Sequence, residues 1–495
     1  MGNNVYPTNN GMRPKLSHHT RGRLARRLVL SRGLFVDTAA HGFSHGDRES
    51  TKYSSPPPLK RRPAPLTKIQ RSIRNGVLAV SALLILTIGC VPPENQGESP
   101  DLTFNNTTDP TNAAASYVGS AACGACHPSV AALTLVHAHS QALSPIQGRA
   151  PEFADEGIRA GVPNPPAGMT WNDVSYVISG YLHGAYFVDS DGFVATDGVA
   201  GVNTQWNLNF PANGTETGFT AFLPAQATPL PYDYETCFRC HTTGPRAQDA
   251  DDPRSQDGRP GILGTWAESG VRCEACHGPG SSHVPSPDTR NIFVDSTPKI
   301  CGGCHTDGDD PDVIVVSDGF LAGNSQYPQL LASGGHSDFN CTVCHDPHAS
   351  ITYDRDNGLR NDCTVCHVDA NLAFHDGAVF ELGDFAETIN CQSCHMPLAG
   401  LSTSFAPPVL VGPTARIGDV RAHIFRIDTE NAGVDAMFTA DGGAVRKDAD
   451  GKAAVTVNYV CLRCHNEAGA VFPLTLEGAR MIANGIHARA ADADE

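Results

Sequence analysis

The sequence predicts a mainly α fold with many loops and little β, in which attached groups supply much of the interior. Three observations predict this. The motif Cys-x-x-Cys-His occurs eight times and uses sixteen of the seventeen cysteines. Hydrophobic residues make up only 40% of the 495, and there are 49 glycines and 36 prolines. A chain so composed would struggle to bury a conventional core of this size. Short helices wrapped around large, flat, apolar groups would solve that problem.

The paired thiols are Cys123 and Cys126, Cys237 and Cys240, Cys273 and Cys276, Cys301 and Cys304, Cys341 and Cys344, Cys363 and Cys366, Cys391 and Cys394, and Cys461 and Cys464. Each pair is followed at once by a histidine: His127, His241, His277, His305, His345, His367, His395 and His465. Two thiols at this spacing add across the vinyl groups of a haem, and the adjacent imidazole binds the iron from one face. The alternative is four structural zinc sites made from paired Cys-x-x-Cys elements. Zinc ribbons need no His after the second Cys, yet all eight pairs have one in a chain with 21 histidines. The sequence therefore predicts eight haem c groups, with a multihaem cytochrome c fold organised around them.

The ends carry a different signal. Residues 1–65 have no usable periodicity, many arginines and a Ser-Pro-Pro-Pro stretch, and are expected to be untranslated or disordered. Residues 66–89 have the form of a signal peptide. Lys68, Arg71 and Arg74 precede the apolar run 77–88, which is too short for a comfortable membrane span. The ending Leu86-Thr87-Ile88-Gly89-Cys90 resembles a bacterial lipobox, departing from it at Thr87. Cys90 is thus the expected lipidation site, and ordinary cleavage nearby or an uncleaved anchor is the alternative. Residues 90–115 are polar and rich in Pro, Asn and Thr, as a flexible tether would be. Localisation is expected to be exported, in the periplasm or at the outer membrane.

Residues 1–89 hold 15 Lys+Arg against 3 Asp+Glu, so the remainder keeps 20 basic and 49 acidic residues, a net of −29. Nucleic acid is then an unsuitable partner, and basic redox proteins or cations are natural ones. A merely soluble acidic surface is the plain alternative.

Motif spacing divides the body into an N-terminal region of three haems (116–290), a central cluster of four (291–400) and a C-terminal region of one (401–495). A helix is expected to begin at Pro128 and continue over 129–143, and another over 474–489. Segments 185–188 and 193–196, flanking Ser190-Asp191-Gly192, read as a β-hairpin.

Whatever fills the second face of each iron decides whether that haem only carries electrons or also binds a substrate. The candidate distal ligands are His139, His183, His283, His336, His348, His375, His423 and His487, with His137 as a spare. His137 and His139 are two apart, roughly 200° around a helix, so one helix face would not present both to one iron. If His137 and His183 both fail, seven ligands remain and one haem is open. Met396 directly follows a proximal His and cannot readily ligate the same haem. No motif has Lys in place of its final His, and no catalytic residue is assigned.

YVGSAACGACH with a downstream HSQAL, and CFRCHTTG followed by GTWAESGVRCEACHGPGSSH, resemble bacterial multihaem c-type cytochromes related to the tetrahaem electron-acceptor cytochrome of ammonia oxidisers. CTVCHDPH, CQSCHMP and HIFRID resemble elements found across multihaem cytochromes and reductases. The resemblance covers most of 117–465 in short patches. It implies His283, His348 and His423 as distal ligands, and a closely packed haem chain serving electron transfer. The leading expectation is an exported octahaem cytochrome in respiratory or extracellular electron transport, exchanging electrons with redox partner proteins and held to a membrane by a lipid at Cys90. The alternative is a multihaem oxidoreductase acting on a small nitrogen or sulfur compound (nitrite, hydroxylamine, tetrathionate) at one open haem. A third reading is self-assembly into filaments.

Overall fold

The computed structural model describes residues 115–157, 159–208, 210, 216–293, 297–308, 310–383, 385–402, 415–430, 433–467 and 471–487. All of them belong to one unit, Ser81–Glu495. The expected leader, Cys90 and most of the tether lie outside the described residues.

The expectation of a mainly α chain with little β is overturned. Among the described residues, nine strands between Leu143 and Thr265 form a single sheet, and four smaller sheets follow or flank it. The longest described helices, Pro128–Leu135 and Leu476–Ala483, have eight residues each. The cause lies in the long stretch between the first and second motifs. Val174–Ser179 and Gly184–Asp189 pair antiparallel, and successive side chains point to opposite faces. Val177, Ala185 and Phe187 enter one apolar cluster, while Tyr176, Ile178 and Val188 enter the other. With both faces covered, most positions of the two strands are buried, and the sequence shows little polar–apolar alternation. Ser179 and Gly180 turn the chain with positive φ. A Cβ on Gly180 would collide with Val162, so glycine is needed there.

The expected hairpin across Ser190-Asp191-Gly192 is present, with Val188 opposite Val194. The helix expected over 129–143 stops at Leu135. His137 is extended, and a separate short turn, Ala138–Gln141, follows before the strand Leu143–Pro145. The helix expected over 474–489 spans only Leu476–Ala483, capped by the Thr475 side chain.

The cluster on the Tyr176 face continues through Tyr232, Phe238, Ile262 and Trp266 to the partly buried Cys237, so the sheet packs on the second motif. A second sheet joins Val316–Ser317, Phe320–Ala322, Leu398–Leu401 and Val420–Arg421. Gly418 lies against the Gly400 carbonyl, where any side chain would clash. That close approach carries the chain on to Asp419, Arg421 and His423.

Candidate haem-binding sites

Each motif folds locally for a local reason. In five of them the histidine N–H donates to the carbonyl of the first cysteine: His127 to Cys123, His305 to Cys301, His345 to Cys341, His367 to Cys363 and His465 to Cys461, at 2.8–2.9 Å. Cys273–His277 and Cys391–His395 are short helices. The second motif closes more widely, through a π-type turn at Tyr234–Phe238 followed by Arg239–His241. Several turns are capped from just outside. The side chains of Asn340, Asp362 and Asn390, each the residue before a first cysteine, accept from the N–H groups of Thr342, Thr364 and Ser393.

The structure brings motif histidines against distant ones. Ring centroids are 6.5 Å apart for His127 and His283, 6.2 Å for His277 and His348, and 6.0 Å for His305 and His139. They are 6.2 Å apart for His345 and His423, 5.9 Å for His367 and His336, 6.0 Å for His395 and His487, and 6.1 Å for His465 and His375. Two imidazoles bound to one metal, each about 2 Å from it, place their centroids about 6 Å apart. The spacing therefore fits an iron held between each pair.

Ring orientation agrees. The Nδ1–H groups of His277, His395 and His465 donate to the carbonyls of Phe293, Phe425 and Phe472, and that of His305 to Gln326 Oε1. Those of His283, His423 and His487 donate to the carbonyls of Asp288, Arg421 and Asn371, and that of His348 to Asp346 Oδ1. Each such bond fixes the tautomer and leaves Nε2 for a metal. Burial lowers the pKa of His139 well below the ordinary histidine value and that of His423 to about 3, so both rings are neutral, as ligation requires.

His241 differs. Its Nδ1–H donates to the Ala142 carbonyl at 3.0 Å, and burial lowers its pKa. Among the described residues no second histidine ring faces it. The two remaining candidates lie elsewhere. The extended backbone at His137 lets its ring stack on His139 at 4.4 Å, where the helical spacing argument would have separated them, and its Nδ1 accepts the His139 backbone N–H. His183 lies 6.2 Å from Phe210, with Nδ1 3.6 Å from Asp419 Oδ2 and no hydrogen-bond partner.

A continuous cavity of about 2960 Å³ runs past the second to eighth motifs, lined by Cys240, Cys276, Cys304, Cys344, Cys366, Cys394 and Cys464 among others. Ordinary small-molecule pockets hold roughly 300–1,000 Å³, so this space suits several large groups. Thiols from different motifs approach one another. Cys123 and Cys273, Cys240 and Cys304, Cys341 and Cys301, and Cys363 and Cys391 are near enough to interact. Cys276 and Cys304, Cys344 and Cys366, and Cys461 and Cys394 are near enough to interact electrostatically. The motifs therefore follow the spatial order first, third, fourth, fifth, sixth, seventh, eighth, with the second at the side of the fourth.

Sequence reasoning missed one buried polar network. Glu387, on the strand Phe385–Thr388, pairs with Arg463 at 2.6 Å and Arg421 at 3.0 Å. Arg463 stands between the two cysteines of the last motif, and that position was the available signal. Among the described residues no three His, Cys, Asp or Glu side chains converge as a bare metal ion needs, and no helix is long and apolar enough to cross a membrane.

Residues 225–278, holding the second and third motifs, match the family model for cytochrome c554 and c-prime. No protein of curated function matches the sequence. Among solved structures, the chain is similar to the octahaem sulfite reductase MccA of Wolinella succinogenes, form II, with 16% identity and a TM-score of 0.48 over 75% of this chain and 71% of that one. It is also similar to the outer cell wall cytochrome OcwA, with 17% identity and a TM-score of 0.44 over 76% and 89%. A third likeness is to the undecahaem cytochrome from the S-layer of Carboxydothermus ferrireducens, with 15% identity and a TM-score of 0.40 over 86% and 64%. With its repeated haem-attachment motifs, its family match and its facing imidazoles, the chain is a multihaem c-type cytochrome that binds haem c.

Proposed function

We propose that the protein carries eight haem c groups, one per motif, and passes electrons along them to a ligand-binding haem at Cys237, Cys240 and His241. One observation carries this reading: seven motif histidines face a second histidine at 5.9–6.5 Å, and His241 faces none among the described residues. The distal ligands are then His283, His348, His139, His423, His336, His487 and His375. His137 and His183 are not ligands.

A haem held on one face supplies a reducible iron that accepts a lone pair from a small molecule. The chain provides the surroundings. The Ala142 carbonyl holds the His241 ring in one tautomer. Ile178, Tyr186, Phe222 and Leu230 give the cavity an apolar wall beside the second motif and limit water there. Arg159 and His183, both beside Phe210, line the same continuous cavity. This favours reduction of a small nitrogen or sulfur compound such as nitrite, hydroxylamine or tetrathionate.

The deciding experiment is low-temperature EPR of the oxidised, haem-loaded protein, with the optical response of the reduced protein to carbon monoxide. The expected result is a high-spin signal of about one haem equivalent and a matching carbon monoxide shift, both abolished in Cys237→Ala/Cys240→Ala. Entirely low-spin iron with no shift would leave a pure electron carrier. The reading extends to an exported protein that exchanges electrons with partner proteins across its acidic surface and is tethered by a lipid at Cys90. Cys90→Ala is expected to move it from the membrane to the soluble fraction.

A further inference from the structure

The seventh and eighth motifs are joined by charge. Glu387 is 7% exposed and Arg463 1% exposed, whereas Arg421, the third member, is 31% exposed. The Arg463 guanidinium donates to Glu387 Oε2 and to the Ser393 carbonyl at 3.1 Å. Arg421 donates to Glu387 Oε1 and to the Gln392 and Met396 carbonyls. Ser393 Oγ donates to Glu387 Oε1 at 2.6 Å. Gln392 and Ser393 lie inside the seventh motif and Arg463 inside the eighth, so one carboxylate ties the two attachment segments together. Arg463 Nε has no protein partner, and the side chain lines the haem cavity.

Two guanidinium groups and one carboxylate leave a fixed net charge of +1, largely out of water. Charges so placed act over longer distances than at a surface, because screening is weak. A haem gains an electron on reduction, so a nearby positive charge stabilises the reduced form. We propose that the Glu387–Arg463–Arg421 cluster raises the reduction potentials of the seventh and eighth haems, so that this end of the chain fills with electrons first. The three are positioning and tuning residues and touch no substrate.

The test is an EPR-monitored redox titration of fully haem-loaded protein. It can single out the eighth haem, because the rings of His465 and His375 are nearly perpendicular at 80° whereas no other facing pair exceeds 58°, and it separates that haem from the seventh, whose rings are nearly parallel at 12°. Glu387→Gln takes the cluster from +1 to +2, and is expected to shift the reduction equilibrium of at least one of these haems about tenfold toward the reduced form, about 59 mV for one electron. Arg463→Met takes it to zero and is expected to shift the same haem by a similar factor the other way. Arg463→Lys keeps the charge and should stay within about twofold of the parent, as should the neutral Ser393→Ala. If Arg463→Met fails to load haem, Arg421→Gln removes the same charge from the more exposed arm and carries the same downward expectation. Shifts of the same sign in the Glu387 and arginine variants, or none in either, would overturn the proposal, since loosened packing alone has no reason to reverse sign with charge.

Discussion

Between residues 143 and 266 the chain carries one attachment motif and, among the described residues, sixteen buried hydrophobic ones, whereas between 333 and 378 it carries two motifs and, among the described residues, a single one, Ala349. The first region closes its own core, with Phe187, Val188, Tyr232 and Ile262 fully buried. The second leaves Val365, Val368 and Phe374 more than half exposed, and its motifs close single turns capped by Asn340 and Asp362. Burial of apolar surface is the main favourable term in folding. The first region obtains it from side chains, and the second must obtain it from attached haem.

The comparison breaks most visibly if the haem is withheld. In chain produced without haem attachment, hydrogen exchange is expected to leave the amides of Val177 and Phe187 protected by roughly a thousandfold or more. Amides across 333–378 should exchange as in an unfolded chain. Equal exchange in the two regions would mean that the sheet, too, depends on haem.

Within the loaded protein, Phe187→Ala is expected to destabilise the first region by about 3–5 kcal/mol, through lost transfer energy and the cavity left behind. Thermal unfolding followed by tryptophan fluorescence should report it, because Trp171 packs against Phe187 and Trp206 against the adjoining Phe219. The low-spin signals from the second region should be unchanged.

A smaller effect sharpens the ligand assignment. His336→Ala should add about one equivalent of high-spin iron, because it removes the imidazole facing His367. His183→Ala should add none. The reverse outcome would exchange the roles of the two residues.

The least effect concerns acid. The Arg463 and Arg421 guanidinium groups, with the Ser393 hydroxyl, hold Glu387 at a pKa of about 2, below its ordinary 4.5 and against the opposing effect of burial. A carboxyl depressed on folding contributes stability that is fully present above the unfolded value and is lost as pH falls through the folded one. The difference in melting temperature between the parent and Glu387→Gln should therefore shrink between about pH 4.5 and pH 2. A constant difference would show that the carboxylate's charge does not matter.

Attachment cysteines and proximal histidines are legible because one covalent group demands five consecutive positions. Their partners are set by non-local folding, and no spacing rule ties His139 to His305 or His487 to His395. A tally of histidines could say that one face stays open if His137 and His183 fail, but only the facing rings of the fold lead to the proposal that it belongs to His241. The β content escaped for a related reason. Val174–Ser179 is buried on both faces, so the alternation that marks a half-buried strand is missing. The helix begun at Pro128 ran too long on paper because no Gly or Pro stops it before His137.

The side position of the second motif, reached through Cys240 and Cys304, has a consequence for timing. A reactive centre placed in the middle of a line would interrupt traffic whenever it was occupied. Placed on a spur, it leaves the line free to fill while a ligand is bound. On the proposed reading the seven other haems act as a charge reservoir, discharging in quick succession into a bound molecule that needs several electrons before a half-reduced product can leave.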